Sequence, residues 1–255
     1  QSFSLLNWAQ LIGPALVAGL MILAIHVPLG FEVLKRRIVF MDLAVAQLAG
    51  VGLMLGSSLI SDHNSLWLQF CAFALAFGGG LFFLWIERVM PDQQEAVIGC
   101  SYVLAASVMA VMVARLPEGA ELAQQLLSGQ LLFVAWQDLL AHLPVYLLVG
   151  ALWFSVPKVR SGLWFYLLFA LAITSSVQLA GVYVVFATLI LPALGALRAS
   201  RPYLVAYLLG ICSVLGGLLG SLLSDWPTGP VLVISFCAVS FAAASLYGLK
   251  ARKVT

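Results

Sequence analysis

From Trp164 to Leu197 the chain runs for 34 residues without a charged side chain. A helix that crosses a bilayer needs about 20 mostly apolar residues. The run is therefore too long for one membrane span and just long enough for two short ones. We predict that a tight turn near Gly181 joins these two spans.

The rest of the chain has the same character, which indicates that lipid is its main solvent. Hydrophobic residues make up 63% of the 255 residues and charged residues 9%, against about 25% charged residues in soluble domains. We predict an all-α polytopic membrane helical bundle that forms a single transmembrane domain over residues 1–255. The nine candidate spans lie near residues 11–34, 42–60, 66–86, 96–115, 139–156, 163–181, 182–197, 203–223 and 230–249.

Lysine and arginine residues collect in alternate loops between these spans, and only Arg115 of the 12 falls on the other side. Cytoplasmic loops retain cations, so the pattern predicts an outer N-terminus and a cytoplasmic C-terminus. A miscounted span would disturb the alternation, which supports nine spans. No cleavage pattern follows residues 1–10, so we expect the first span to be retained. The other cations are Lys35, Arg36, Arg37, Arg88, Lys158, Arg160, Arg198, Arg201, Lys250, Arg252 and Lys253.

The one long outer connection, residues 116–138, contains leucines at helical spacing after Pro117 and Glu118. This pattern predicts a short interfacial helix. Two interpretations remain open from the sequence: a plain helix on the lipid surface, or a docking surface for an outer partner.

Ionisable side chains are costly in the middle of a membrane and therefore mark functional candidates. His26 lies nine residues before Lys35, close to the predicted midplane. Pro28 and Gly30 follow at once, and we expect them to break the helix, as in many transporter sites. The alternative is a neutral histidine that donates to a carbonyl freed by Pro28.

Two polar residues stand near the start of the second span. Asp42 is either a helix cap, favoured by the helix dipole, or a residue of a translocation pathway. Gln47 lies one and a half turns deeper, where its amide oxygen serves a metal ion or bonds to a neighbouring helix.

Another polar group interrupts the sixth span near its outer end. Thr174, Ser175, Ser176 and Gln178 lie in an otherwise apolar stretch, which indicates contact with water or a polar partner. At the outer start of the fifth span, Asp138 and His142 are four residues apart, a spacing that suits a plain ion pair or a shared metal.

Several function classes are excluded by missing motifs. The chain has no Gly-x-x-x-x-Gly-Lys-Ser/Thr, Gly-x-Ser-x-Gly, His-Glu-x-x-His or Cys-x-x-Cys. It therefore binds no nucleotide through a P-loop, and nothing in it resembles a nucleic-acid binder or an enzyme. The residues alone indicate a transporter or channel, with a cation as the candidate cargo.

Three stretches resemble the permease subunits of zinc/manganese-type metal ABC transporters. The first, residues 34–50, places a basic cluster before Asp42 at the start of the second span. The second is Gln94-Glu-Ala-Val-Ile-Gly99, followed by residues 127–136. The third and most specific lies within residues 175–197 and includes Gly181-Val-Tyr-Val-Val-Phe-Ala-Thr-Leu-Ile-Leu-Pro-Ala193.

The resemblance implies a homodimer with a fold like that of cobalamin and siderophore importers, in the inner membrane of a bacterium. It implies transported Zn²⁺ or Mn²⁺ with no stably bound cofactor, an extracytoplasmic metal-binding protein, and ATP hydrolysis on a separate cytoplasmic ATPase dimer. That ATPase would dock on a loop after the third stretch. Its residues would be Pro192, Ala193, Leu194, Gly195, Ala196, Leu197, Arg198 and Arg201.

The chain departs from the resembled family in one respect. Many members carry Asp-x-x-x-His in the second span, whereas here Ala46 stands four residues after Asp42. Asp42 therefore carries over as a pathway and metal residue, and we hypothesise that His26 supplies the missing imidazole. One histidine and one aspartate favour zinc over manganese. The alternatives are a permease for a metal chelate, and a secondary transporter or channel without an ATPase.

Overall fold

The computed structural model describes residues 5–59, 65–116, 119–129 and 131–252. These residues form ten α-helices, three short 3₁₀ turns and no strand. The helices are α1 (Leu5–Arg36), α2 (Met41–Leu59), α3 (Ser65–Val89), α4 (Gln94–Val113), α5 (Gly119–Ser128), α6 (Trp136–Ser155), α7 (Gly162–Ala180), α8 (Val182–Ala196), α9 (Pro202–Ser224) and α10 (Thr228–Arg252).

The helices confirm the predicted all-α class and its spans. Within the described ranges, eight helices are long and apolar enough to cross a membrane, and α8 is a shorter apolar helix. These nine match the nine predicted spans in order. The tenth, α5, is the helix expected in the long outer connection, where leucine spacing predicted it.

Successive spans alternate in direction, which gives the bundle two distinct ends. One end, here called the basic end, contains the α1–α2, α3–α4, α6–α7 and α8–α9 connections. The opposite end contains α5 and the α7–α8 and α9–α10 connections. The basic end carries Lys35, Arg36, Arg37, Arg88, Lys158, Arg160, Arg198 and Arg201.

Helices α7 and α8 lie in the middle of the bundle, where most of their side chains are buried against other helices. Every residue from Ala172 to Val177 is buried, and Gly30 of α1 crosses α8 so closely that a Cβ would meet the Leu189 carbonyl oxygen at 1.9 Å. By contrast, α3, α6 and α10 present exposed large side chains such as Trp85, Phe154 and Phe241, as expected of lipid-facing helices.

Helix α1 is continuous to Arg36, so the expected break at Pro28 and Gly30 is wrong. Pro28 has no N–H and leaves the carbonyl of Ala24 without its helical partner. The hydroxyl of Tyr207 on α9 donates to that carbonyl at 3.0 Å. The freed group is therefore satisfied by a neighbouring helix, and the alternative in which His26 donates to it is also not found.

The turn between α7 and α8 does not reach the opposite end of the bundle, because α8 is short. With 15 residues at 1.5 Å rise, α8 spans only about 22 Å of a hydrocarbon core about 30 Å thick. Gly181 turns the chain with a φ of +81°, and a Cβ there would meet the backbone N of Gly129 at 2.4 Å. The C-terminal end of α5 thus covers the turn, and α5 is more than a helix resting on lipid.

The segment expected to be an ATPase-docking loop is mostly helical. Pro192 to Ala196 belong to α8, and all of them except Leu194 are buried. Pro192 removes one helical hydrogen bond, the one to the carbonyl of Thr188, but α8 continues past it to Ala196. The exposed connection is shorter, residues 197–201, and it includes Leu197, Arg198 and Arg201.

Candidate functional site

Asp42 is the most unusual polar residue of the bundle. Its side chain is 0% exposed, and neither carboxylate oxygen forms a hydrogen bond of good geometry to another residue in the described part of the chain. A buried charge without a partner costs several kcal/mol even after the protein relaxes around it. The backbone N–H groups of Asp42 and Leu43, in the first turn of α2, lie close enough to favour the carboxylate, so the cap interpretation stays open beside the pathway interpretation.

A second carboxylate, Glu95 in the first turn of α4, lies near the start of α2, two residues along the chain from Asp42 at its contact with Phe40. Its Oε1 accepts the backbone N–H of Phe40 at 3.2 Å, whereas its Oε2 is buried without a partner. The turn before α2 is therefore held by Glu95. Both oxygens of Asp42 and Oε2 of Glu95 are buried without a hydrogen bond of good geometry to any other described residue.

Buried carboxylate oxygens of this kind are ligands for a divalent cation. Among the residues that the structure describes, no group of three or more histidine, cysteine, aspartate or glutamate side chains could hold a metal. A cation between Asp42 and Glu95 would take its other ligands from water or backbone carbonyls. Such an incomplete ligand set suits an ion that must leave again.

Neighbouring polar contacts hold Glu95 in place at the basic end. Gln94 donates to the hydroxyl of Tyr166 at 2.8 Å and to the carbonyl of Phe83 at 3.2 Å. Tyr166 donates to Glu87 at 2.7 Å. Arg36 lies 3.8 Å from Glu87. The first turn of α4 is thereby fixed to α3, α7 and the end of α1.

Gln47 lies on the same helix as Asp42 and is buried, with 5% exposure. It lines a cavity of about 340 Å³ together with Tyr102, Met109 and Tyr183. No hydrogen bond from its amide to another described residue is found, so its predicted bond to a neighbouring helix is absent here. The amide faces a cavity instead.

His26 forms a buried chain of hydrogen bonds that joins α1, α6, α7 and α8. Thr188 donates its hydroxyl hydrogen to the carbonyl of Val185 at 2.8 Å, so it accepts from His26 Nδ1 at 2.7 Å. His26 Nε2 must then accept from the Ser176 hydroxyl at 2.9 Å. Ser176 in turn accepts from the Tyr146 hydroxyl at 2.6 Å.

One orientation of every hydrogen satisfies this chain completely. Both ring nitrogens of His26 are occupied, and the side chain is 0% exposed. Among the residues that the structure describes, neither a hydrogen bond nor an ion pair joins His26 to Asp42. The structure therefore brings His26 and Ser176 together, but it does not bring the two hypothesised metal ligands together.

The remaining polar candidates meet near the opposite end. Gln178 and Gln69 of α3 exchange side-chain amide hydrogen bonds in both directions, and Gln178 also donates to the carbonyl of Thr174 at 3.0 Å. Ser175 bonds to His142 Nδ1 at 2.7 Å. The polar group in the sixth span thus contacts α3 and α6.

Asp138 and His142 do not form the expected ion pair. The Asp138 carboxylate accepts the backbone N–H of Ala135 at 2.9 Å and so caps α6, while the His142 ring bonds to Ser175. The unpaired N–H at the start of α6 therefore binds the Asp138 carboxylate in place of the His142 ring.

Sequence reasoning missed Glu95 and Gln69. Glu95 stands within the segment Gln94–Gly99 that carries the family resemblance, and its position in the first turn of a span was the signal available. Gln69 carries no local signal, since its partner Gln178 lies 109 residues away.

Comparison with known proteins assigns the sequence to a family and shows which solved structures share the fold. The sequence profile of the ABC 3 transport family matches residues 9–159 and 155–247. The structure of PsaBC from Streptococcus pneumoniae in complex with Fab is similar, with a TM-score of 0.70, 16% identity, and 91% of this chain and 90% of that chain covered. A metal-chelate type ABC transporter in an inward-facing conformation is similar with a TM-score of 0.66 and 14% identity, over 99% of this chain and 90% of that chain.

These identities support the fold, and the profile supports the family. The two profile matches together cover nearly the whole chain. The family expected from the three stretches is thereby confirmed, and so is the importer-like permease fold. The chain is a multi-pass membrane protein that belongs to the ABC 3 transport family.

Proposed function

We propose that this chain is the membrane-spanning permease subunit of an ABC importer for a divalent metal ion. The observation that carries the proposal is the group of three buried carboxylate oxygens, both from Asp42 and Oε2 from the half-buried Glu95, that have no hydrogen-bond partner of good geometry among the described residues. A passing cation would satisfy these oxygens for a short time and then leave, because no closed ligand cage surrounds it.

The choice between zinc and manganese rests on the ligands. The preference for zinc depended on an imidazole from His26, but both nitrogens of that ring bond to hydroxyl groups. Two carboxylates without an imidazole suit manganese at least as well as zinc. The proposal therefore names both metals, and the uptake assay below distinguishes them.

The proposed partners rest on the missing P-loop and on the exposed turn between α8 and α9. It has no P-loop, so a separate cytoplasmic ATPase dimer would supply the energy. The turn at residues 197–201, with Arg198 and Arg201 exposed, is the surface on which we place ATPase docking. We further propose a permease homodimer, an extracytoplasmic metal-binding protein, and a bacterial inner membrane with the basic end in the cytoplasm.

A metal chelate is the second candidate cargo. One similar structure is described as a metal-chelate type ABC transporter. The cavity of about 340 Å³ beside Gln47 is lined mainly by apolar and aromatic side chains, as a chelate site would require.

The experiment is metal uptake into proteoliposomes that contain the permease with its co-expressed ATPase. ATP-dependent uptake of Mn²⁺ or Zn²⁺, lost in Asp42→Asn and kept in Asp92→Asn, is the expected result. Asp92 is a suitable control because it lies exposed at the same end of the bundle. ATP-dependent uptake of the chelated metal alone would favour the second candidate, and uptake driven only by an ion gradient would contradict the ABC mechanism.

A further inference from the structure

We propose that a hydrated divalent metal ion binds in a cavity at the opposite end of the bundle, with His142 as its direct ligand. The oxygens of Asp138, Gln69 and Gln178 would hold its water shell. This inference rests on the proposed function, since it takes the cargo to be a divalent metal ion. It adds a site far from the Asp42–Glu95 pair, near the predicted outer surface.

Two neighbouring cavities give this site its space. The first has a volume of about 430 Å³ and is lined by Gln69, Gln178, Asp138 and His142, among others. The second, of about 330 Å³, shares Gln69 and His142 with it. With His142 in one coordination position, a six-coordinate ion keeps five waters, which need about 150 Å³ at about 30 Å³ each, so the first cavity has room for them.

His142 is prepared to act as a metal ligand. Its Nδ1 bonds to the Ser175 hydroxyl at 2.7 Å, and its Nε2 has no hydrogen-bond partner in the described part of the chain. When Nδ1–H donates to Ser175, the lone pair of Nε2 is free. A hydrogen bond on one ring nitrogen commonly orients the other nitrogen toward a metal. His26, with both nitrogens occupied, lacks this property.

The amide pair supplies oriented oxygens. Gln69 and Gln178 bond to each other in both directions, which fixes both side chains across α3 and α7. Each carbonyl oxygen accepts one hydrogen bond in this pair and keeps a second lone pair for water or an ion.

An unpartnered hydroxyl faces the second cavity. Thr174 is 4% exposed and lines that cavity, and its Oγ1 forms no hydrogen bond to another described residue. Buried hydroxyls are almost always paired, so Thr174 calls for a polar group that the side chains do not supply. Water shed or carried by the ion would meet this need.

The charge near the cavity favours a cation over an anion. Asp138 lines the first cavity one helical turn from His142, and only one of its oxygens is used in the cap of α6. One imidazole, one carboxylate and amide oxygens match the ligands of zinc and manganese. With a single nitrogen ligand and most contacts through water, the site binds weakly, as a passing ion requires.

Protection of His142 from diethyl pyrocarbonate tests the site directly. The reagent modifies free imidazole nitrogen, and the full-length permease in nanodiscs would be digested and analysed by mass spectrometry with ZnCl₂, MnCl₂ or MgCl₂ present. Modification of His142 is expected to fall about tenfold when Zn²⁺ or Mn²⁺ is present at ten times its Kd, because only free imidazole reacts. His26 is buried and serves as the unreactive internal control.

Substitutions of the residues that line the cavity test where the ion binds. Asp138→Asn keeps a capping oxygen but removes the charge, so it should raise the metal concentration needed for protection, as should Gln69→Ala. Gln124→Ala is the matched control, because Gln124 is exposed and lines a different cavity. Equal protection in all of these variants would overturn the site as described.

The result is separable from the proposed function. Absence of any protection by Zn²⁺ and Mn²⁺, with ATP-dependent uptake intact, would overturn this site alone. Protection that depends on Asp138, with no metal uptake, would support the site and contradict the proposed transport of that metal.

Discussion

Glu95, in the first turn of α4, accepts the backbone N–H of Phe40 through Oε1 at 3.2 Å and so holds the turn that leads into Asp42 at the start of α2. Oε1 of Glu95 thus binds the backbone, whereas Oε2 of Glu95 and both oxygens of Asp42 have no hydrogen-bond partner of good geometry among the described residues. An unpartnered buried carboxylate opposes folding, and a passing cation is the partner that we propose for it.

The first prediction concerns stability at Asp42. A buried carboxyl group without a bound cation takes up a proton rather than staying charged. Asp42→Asn therefore replaces it with a side chain of the same size and similar polarity, and we expect the thermal midpoint of the metal-free permease to change by less than about 2 °C. Thermal unfolding of the purified protein in chelator measures this change. The exposed Asp92→Asn should leave the midpoint unchanged, and a clear loss of stability in Asp42→Asn would show that the carboxylate has a partner.

The second prediction concerns the His26 chain. Ser176→Ala removes both a donor to His26 and an acceptor from Tyr146, whereas Tyr146→Phe removes one donor only. Since hydrogen bonds between membrane helices contribute about 0.6–2 kcal/mol each, Ser176→Ala should destabilise about twice as much as Tyr146→Phe.

Ser107→Ala is the control for the His26 chain, because its exposed hydroxyl bonds only within its own helix, and it should have little effect. The ratio of Zn²⁺ to Mn²⁺ uptake should stay constant in the Ser176 and Tyr146 variants. A changed ratio of Zn²⁺ to Mn²⁺ uptake would show that His26 contributes to metal selection.

The third prediction concerns Pro28 and Tyr207. Tyr207→Phe leaves the Ala24 carbonyl without a partner in a medium that offers no water, at a cost of about 1 kcal/mol. In a Pro28→Ala background the new N–H satisfies that carbonyl, and the same change should cost almost nothing. A double-mutant cycle of thermal midpoints measures the coupling. If Tyr207→Phe costs the same with Pro28 and in the Pro28→Ala background, the Tyr207 hydroxyl does not compensate for the proline.

The fourth prediction concerns the exposed turn at residues 197–201. Arg198→Glu combined with Arg201→Glu should abolish co-purification of the ATPase subunit, because two cations of the proposed docking surface become anions. Arg88→Glu changes an exposed cation at the same end and should leave co-purification intact. Retention of the ATPase by the double variant would move the docking surface elsewhere.

The spans were predictable because lipid imposes a simple rule on composition. Charge-free runs and alternating cations are local properties of the sequence, and α5 followed from leucine spacing in the same way. The continuity of α1 was not predictable, because it depends on Tyr207, which lies 183 residues beyond Ala24.

The chemistry of the site was only partly predictable, for the same reason. Asp42 and His26 were identified because polar residues are rare in spans. Their roles depended on distant partners: Glu95 takes the N–H of Phe40 near Asp42, and Thr188 and Ser176 occupy both nitrogens of His26. Local patterns therefore indicate which residues are unusual, whereas tertiary contacts decide what those residues can bind.

Initial rates of ATP-dependent Mn²⁺ and Zn²⁺ uptake, compared between the unaltered permease, Asp42→Asn and Asp92→Asn in ATPase-containing proteoliposomes, test the central claim most directly. The account predicts that Asp42→Asn loses uptake by about tenfold or more, which corresponds to at least about 1.4 kcal/mol in the transport barrier, while Asp92→Asn keeps it. Unchanged uptake in a folded Asp42→Asn permease would contradict the account, because the buried carboxylate would then have no part in moving the ion.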